Sequence, residues 1–262
     1  NESPNYDMTD EIGAYAFGDL AIYNDYYLEP NRNTSYLEGV STLDLVLIQR
    51  HILGLAELDS PYKVIAADIN SSESVSAADI VQLRKLVLGV YSELPNNSSW
   101  RFVDAGQEFF DAQDPFPFAE KIELDQLDQN MVAANFIGVK VGDVNGSYQA
   151  DADKTSEADT RSTYTIKTAD ASLEAGQTFT LPLSTTYELT TYGLQMALEF
   201  DTDKVTYVGY KGSEKIALSD AHLGLSRVDR GQVSISYDRA TAVELSTDEL
   251  IMELTFVANE DI

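Results

Sequence analysis

The chain has 262 residues, with 44 acidic against 17 basic side chains, a formal net charge of −27 and no cysteine. So large a negative charge repels phosphate, which argues against nucleic acid and anionic membranes as partners. The lack of cysteine excludes disulfides, thiolate metal sites and a cysteine nucleophile. No apolar run approaches the roughly 18 to 20 residues of a bilayer span. The acidity is consistent with solubility, with salt tolerance, or with carboxylates that bind hard cations.

The first 30 residues are rich in tyrosine and alternate as a half-buried strand does. Tyr15 and Phe17 form one such alternation, and Tyr26 to Leu28 remain extended. Two strands are not a stable sheet by themselves, and their order resembles the last two strands of a small prealbumin-like or collagen-adhesin-B-like sandwich. We therefore predict that residues 1–30 end such a sandwich, whose other strands lie upstream or come from another chain. The start at Asn1, without methionine, also predicts a piece of a longer protein.

An internal repeat with an offset of 35 residues follows. GVSTLDLVLIQRHILGL at 39–55 aligns with SVSAADIVQLRKLVLGV at 74–90. In each copy the apolar residues recur at helical spacing, and a glycine, Gly54 or Gly89, is placed just after the helix. Each copy is therefore predicted to be a loop followed by a helix of about 10 to 12 residues, and the two helices are expected to pack together.

The rest of the chain divides into extended segments and a linker. Trp100–Val103 and NFIGVKV at 135–141 read as short strands, whereas residues 151–162 are polar and acidic, as linkers are. After residue 163 the pattern predicts an antiparallel β-sandwich. Its six candidate strands are Tyr164–Lys167, Thr178–Leu183, Leu194–Phe200, Val205–Tyr210, Val233–Tyr237 and Leu250–Val257.

The loop before the second helix has the oxygen spacing of a 12-residue calcium loop. Positions 1, 3, 5 and 9 supply side-chain oxygen, position 7 a carbonyl and position 12 a carboxylate. The residues there are Asp68, Asn70, Ser72, Ser76, Ser74 and Asp79, respectively. The alternative is an Asx-type turn that only caps the helix.

The loop before the first helix is a weaker match. Counting back from Asp44 along a contiguous loop gives the candidate ligands Asn33, Ser35, Gly39, Ser41 and Asp44, with Leu37 at position 5. Leu37 has no ligating atom, so this loop is either longer than 12 residues or has lost the metal. Low-charge sites of this kind bind calcium in the extracellular range, with a Kd of about 10⁻⁴ to 10⁻³ M or somewhat tighter.

A tandem of calcium loop and helix, with Asp at position 12 and Leu-Gly after each helix, resembles the dockerin domain. The resemblance is carried by residues 39–90 and extends over 31–150, where WRFVDAG and NFIGVKVGDVNG look like extended dockerin-type modules of large bacterial surface proteins. It implies Ca²⁺ as the bound ion. Partner-binding positions 10 and 11 hold Thr42-Leu43 and Ala77-Ala78 rather than hydroxyl pairs, which suits a drier contact with a sandwich in the same or a neighbouring chain.

The last domain, residues 163–262, resembles a cohesin, the usual dockerin partner. GQTFTLPL at 176–183 and LQMALEFDTDKVTYVGY at 194–210 carry this resemblance, and the domain looks truncated at its end. The expected fold class is therefore multidomain and mainly β, with a small α-helical dockerin-like module before the C-terminal sandwich.

No motif of an enzyme is present: GxSxG, HExxH and phosphate-loop patterns are absent, and the histidines, His51 and His222, lack companion motifs. The sequence predicts a non-enzymatic, calcium-stabilised structural or adhesive segment of a secreted or surface-attached bacterial protein. Its expected partners are neighbouring β-sandwich domains in cis or in trans, cohesin-like domains or copies of itself. The alternatives are a docking module of a polysaccharide-degrading complex, or a filament subunit assembled by strand complementation.

Overall fold

The computed structural model describes residues 6–148 and 164–262. The predicted linker at 151–162 lies outside the described residues. The helices are α1 (Thr42–Ile52), α2 (Pro61–Ala67) and α3 (Ala77–Val87). The strands are β1 (Tyr26–Leu28), β2 (Trp100–Asp104), β3 (Ile122–Leu124), β4 (Phe136–Lys140), β5 (Ile166–Lys167), β6 (Thr178–Thr185), β7 (Leu189–Glu199), β8 (Val205–Gly212), β9 (Leu223–Gly224), β10 (Gln232–Leu245) and β11 (Leu250–Ala258). Among the described residues, no helix combines the length and hydrophobicity that crossing a bilayer requires.

Helices α1 and α3 have the same length and the same ends. Each begins with a capping box, in which a serine side chain bonds to the backbone of the first turn and an aspartate three residues later bonds back to the serine. Each ends in a Schellman motif, in which Gly54 or Gly89 takes a positive φ and the freed carbonyls of the last turn are bonded. The predicted pair of helices of 10 to 12 residues is therefore confirmed.

Helix α2 was not predicted, although its signals are local. Ser60 caps it and Pro61 occupies its first position, which proline favours because a first-turn N–H has no partner within the helix. Only seven residues long, it contributes Val64 and Ile65 to the core and ends directly at Asp68. The second predicted loop therefore connects helix α2 to helix α3.

Two antiparallel ribbons complete this part of the molecule. In one, β2 pairs with β4, and both strands lie in segments that were predicted to be extended. In the other, β1 pairs with β3, so that Tyr26–Leu28 joins residues from the middle of the chain. The structure has no strand at Tyr15 and Phe17, where alternation suggested one. We call residues 26–148 the helical module.

Residues 164–262, which we call the sandwich, form two antiparallel sheets. One has the strand order β5-β6-β11-β8 and the other β7-β10-β9. All six predicted strands are present, and the short β9 was not predicted. The core between the sheets includes Ile235, Ile251, Met252 and Leu254, all nearly free of solvent.

A glycine at the end of the β7–β10 pair gives a test of this strand pairing. Gly231 has φ +76°, and a Cβ there would lie 2.0 Å from the carbonyl oxygen of Phe200. We expect Gly231→Ala to lower the free energy of unfolding by about 2 kcal/mol or more, because it adds a clash to an unfavourable φ. The control is Gly209→Ala, where nothing lies within 4 Å of the added Cβ. Urea unfolding would contradict this view of the strand pairing if the two variants lost equal stability.

Candidate metal loops and docking surface

The second predicted loop closes around two buried carboxylates. Asp68 accepts hydrogen bonds from the backbone N–H of Ser72 at 2.8 Å and of Glu73 at 3.0 Å. Asp79 accepts with Oδ1 from the N–H groups of Ile69 and Asn70, at 2.9 and 3.2 Å. Both carboxylates are fully buried. The backbone of the loop therefore folds around the two carboxylates at positions 1 and 12, as a cation-binding loop requires.

The first loop repeats this arrangement with residues from two distant parts of the chain. Asp44 accepts with Oδ1 from Val144 N and Asn145 N, at 3.0 and 3.2 Å, as Asp79 does from Ile69 and Asn70. Asp143 accepts from Ser147 N and Tyr148 N, at 2.9 and 2.8 Å, as Asp68 does from Ser72 and Glu73. The first six loop positions are thus residues 143–148, and the last six are residues 39–44.

The hydroxyl at position 5 supports the same alignment. Ser147 Oγ donates to the carbonyl of Gly39 at 2.9 Å, and Ser72 Oγ contacts the carbonyl of Ser74 at 3.3 Å. In both loops this joins position 5 to the carbonyl at position 7. The first loop is therefore split between residues about a hundred positions apart.

The ligands predicted for the first loop separate into two groups. Gly39, Ser41 and Asp44 stay at positions 7, 9 and 12, whereas Asn33 accepts a hydrogen bond from Ser99 N at 2.9 Å, away from the loop. Ser35 lies in a turn near Asn33, with φ +53°. The signal that sequence reasoning missed is the repeat of Asp-Ile-Asn-Ser-Ser at 68–72 as Asp-Val-Asn-Gly-Ser at 143–147.

The chemistry of both loops fits a hard divalent cation. Burial raises the pKa of Asp44 to about 6, and the charge of Asp143 adds to the effect. Burial also raises the pKa of Asp68, with a contribution from Asp79. Asn70 Oδ1 is buried and has no hydrogen-bond partner in the part of the chain that the structure describes. Each loop thus pairs two carboxylates with neutral oxygen atoms, which are the ligands that Ca²⁺ prefers.

The helical module lies against the β7–β10 face of the sandwich. Thr42, at the start of α1, donates from N and Oγ1 to Gln195 Oε1, at 2.9 and 3.1 Å. Its hydroxyl is also 2.7 Å from Ser236 Oγ. Thr42 and Ser236 are both buried, so these polar groups depend on each other for hydrogen bonds.

An ion pair crosses the same surface. Arg84 Nη2 and Nε lie 2.8 and 3.2 Å from Asp238 Oδ1, and the two side chains are 14% and 0% exposed. Arg50 Nη1 donates to the carbonyl of Ala240 at 2.8 Å, and its guanidinium lies 4.9 Å from the centre of the Tyr192 ring. The chain is strongly acidic, and these two arginines supply positive charge at the contact between the helical module and the sandwich.

The end of α3 packs closely on strand β9. A Cβ at Gly224 would lie 2.3 Å from the carbonyl oxygen of Leu88, so only glycine fits there. Ser226 Oγ donates to the carbonyl of Gly89 at 3.2 Å. Module and sandwich therefore share a continuous, close contact.

Of the four partner-binding positions predicted from the sequence, Thr42 contacts the sandwich. Leu43 is 51% exposed, and Ala77 and Ala78 are exposed as well. Sequence reasoning missed Arg50, Arg84 and Leu88. A helical repeat alone does not show which of its surface residues will contact another domain. Two arginines on its helices, in so acidic a chain, were an available signal of such a contact.

Comparison with curated proteins and with solved structures gave no match. Comparison with protein-family models gave a match to the cohesin domain over residues 162–262. The matched range ends with the chain at Ile262 and contains both sheets of the sandwich. The C-terminal sandwich is thus similar to cohesin domains.

Proposed function

We propose that this chain is a non-catalytic, calcium-stabilised structural segment in which the helical module acts as a dockerin-like domain and docks in cis on the cohesin-like sandwich. The observation that carries the proposal is the buried Arg84–Asp238 pair between module and sandwich. Cohesin domains are docking modules that bind dockerins. Because this chain covers its own docking face, docking serves to join two domains into one stiff unit.

Calcium would hold each loop closed. The second site would use Asp68, Asn70, Ser72, Ser74, Ser76 and Asp79; the first would use Asp143, Asn145, Ser147, Gly39, Ser41 and Asp44. The ion would supply the positive charge that each facing pair of carboxylates lacks. It would also fix the start of α1, since Ser41 and Asp44 belong to both the loop and the helix cap.

The histidines support a structural protein rather than an enzyme. His51 Nδ1 accepts a hydrogen bond from Leu58 N at 3.3 Å. His222 Nδ1 accepts one from Ser219 N at 3.0 Å, and its ring packs edge-on against Tyr237. Both rings thus hold local backbone in place. Cohesin domains occur in extracellular and cell-surface proteins, and we place this segment there, where it would bear load or support adhesion.

Calcium titration of the whole chain tests the proposal. A ligand that binds only the folded state stabilises it by about 2.7 kcal/mol per site at a hundredfold excess over Kd. We expect the melting temperature to rise with Ca²⁺ and to fall on chelation. Mg²⁺ should stabilise less, because it demands a smaller octahedral shell and gives up its waters reluctantly. An unchanged melting temperature with Ca²⁺ and with EDTA would refute calcium stabilisation.

A second candidate function, assembly into filaments, is favoured by one observation. Within the described residues, the 11-residue strand β7 pairs with β10 and lies at the edge of its sheet. Such an edge can accept a strand from a neighbouring chain. Sedimentation and negative-stain microscopy distinguish the two functions, because a docked segment remains a monomer at concentrations where a filament subunit polymerises.

A further inference from the structure

The split first loop contains the one asparagine of the chain that is followed directly by glycine, Asn145 before Gly146. An asparagine deamidates when the backbone nitrogen of the next residue attacks its Cγ. The new nitrogen–Cγ bond closes a succinimide ring, the bond from Cγ to the amide nitrogen breaks, and the displaced proton leaves with that nitrogen as ammonia. Water then opens the ring at Cγ to give aspartate, or at the backbone carbonyl to give isoaspartate. Glycine favours the reaction because it has no side chain to obstruct the attack.

The folded loop leaves the attacking atom free. Gly146 is exposed, and nothing lies within 4 Å of a Cβ placed on it. Its N–H makes no hydrogen bond within the described residues, whereas the N–H groups of Asn145 and Ser147 on either side both donate one. The nucleophile is therefore neither covered nor engaged, and the position of the Asn145 side chain is what restrains the reaction.

Two hydrogen bonds hold Asn145 in place. Its Oδ1 accepts from Ser147 N at 2.8 Å, and its own N–H donates to Asp44 Oδ1 at 3.2 Å. To form the ring, the amide must turn its carbon towards the nitrogen of Gly146, so these bonds must loosen first. At loop position 3, Asn145 Oδ1 would also be a ligand of the proposed ion, which would keep the amide where it is. Deamidation thus requires an open loop, and an empty loop opens more often.

The second loop carries the same asparagine in a less reactive setting. Asn70 also occupies position 3, but a serine, Ser71, follows it at position 4. Ser71 has φ +58°, close to the +72° of Gly146, so the two backbones are alike there. Its side chain obstructs the attack and accepts a hydrogen bond from Arg101 Nη1 at 3.3 Å. The loops therefore match in geometry and differ in chemical durability.

We propose that Asn145 is a site of spontaneous deamidation, which proceeds when the first loop loses its ion. The inference rests on the proposed calcium binding. Isoaspartate adds a methylene to the backbone inside the loop, which moves the N–H groups of Ser147 and Tyr148 away from the carboxylate of Asp143 that they now meet. Restoring calcium would not rebuild such a loop. A reversible loss of calcium thereby becomes permanent at the first site, while the second site survives.

Peptide mapping by mass spectrometry tests this on the whole chain, incubated in mildly alkaline buffer with Ca²⁺ or with EDTA. In EDTA we expect isoaspartate to accumulate at Asn145 before Asn70. A tenfold excess of Ca²⁺ over Kd should slow the reaction about tenfold, because it lowers the population of the empty loop by that factor. Calorimetry should show the first calcium site disappearing as isoaspartate accumulates.

The outcomes separate this inference from the proposed function. Equal rates with Ca²⁺ and with EDTA, in a chain that binds calcium at both loops, would overturn the inference alone. The absence of preferential reaction at Asn145 in EDTA would overturn it as well. A chain that binds no calcium would instead refute the calcium stabilisation on which it rests.

Exchanging the residues at position 4 supplies a matched control. Gly146→Ser gives the first loop the Asn-Ser pair of the second, and Ser71→Gly gives the second loop the Asn-Gly pair of the first. Ser71 itself shows that a serine can adopt the positive φ of this position. In the double variant we expect the isoaspartate formed in EDTA to move from Asn145 to Asn70. Undiminished reaction at Asn145 in Gly146→Ser would show that the glycine does not determine the site and would overturn the proposal.

Discussion

Replacing Arg84 with glutamine is expected to weaken the contact between module and sandwich by about 3 to 5 kcal/mol, the range for removing one partner of a buried ion pair. The cause is the carboxylate left behind: Asp238 is fully buried and its Oδ2 has no hydrogen-bond partner within the described residues. Urea unfolding of the whole chain should then separate into two transitions, because the domains lose their mutual support.

A double-mutant cycle identifies the cause. Adding Asp238→Asn to Arg84→Gln removes the unpaired charge, so most of the lost stability should return. The matched control is Lys63→Gln in the exposed Lys63–Asp59 pair, whose side chains are 38% and 78% exposed. Exposed pairs of this kind contribute less than about 1 kcal/mol. Equal losses for Arg84→Gln and Lys63→Gln would contradict the assigned importance of the buried pair.

Asp143→Asn is expected to abolish calcium binding at the first site and leave the second intact. The substitution removes one of two carboxylates from a low-charge site and places an amide N–H opposite the donors of Ser147 and Tyr148. Calorimetric titration should show the bound calcium falling from two ions to about one. Asp68→Asn should do the same at the second site.

A control separates the split loop from a contiguous one. Ser35 is the third residue of the contiguous loop that the sequence suggested, so Ser35→Ala would remove a ligand if that loop bound the metal. The structure predicts instead that Ser35→Ala leaves the calcium stoichiometry unchanged. Loss of an ion in Ser35→Ala, with both ions retained in Asp143→Asn, would favour the contiguous loop.

The parts of the fold that the sequence predicted are those with local causes. The capping serine and aspartate and the glycine after each helix are a few residues apart, so α1 and α3 could be located from the repeat alone. The six predicted strands of the sandwich were recognised by their alternating apolar and polar residues, and all six are present in the structure. Helix α2 was missed because seven residues are too few for a clear helical period.

Long-range pairing accounts for what could not be predicted. The first loop joins Asp143 to Asp44, and nothing near Asp44 in the sequence says that its partner lies after β4. The pairing of β1 with β3 likewise depends on which edges remain free once the chain folds. The docking of Arg84 on Asp238 requires a surface that exists only when both domains are formed. Such contacts arise from tertiary structure rather than from local pattern.

The split first loop has a mechanical consequence. Because it fastens Gly39–Asp44 to Asp143–Tyr148, tension applied to the chain before and after the module passes from one half of the loop to the other. About 100 residues lie between the two halves, and this path bypasses them except where they contact residues outside the loop, as β3 does on β1. When fully extended, these residues would span roughly 330 to 360 Å. If the loop binds calcium as proposed, loss of the ion would lower the force at which this length is released.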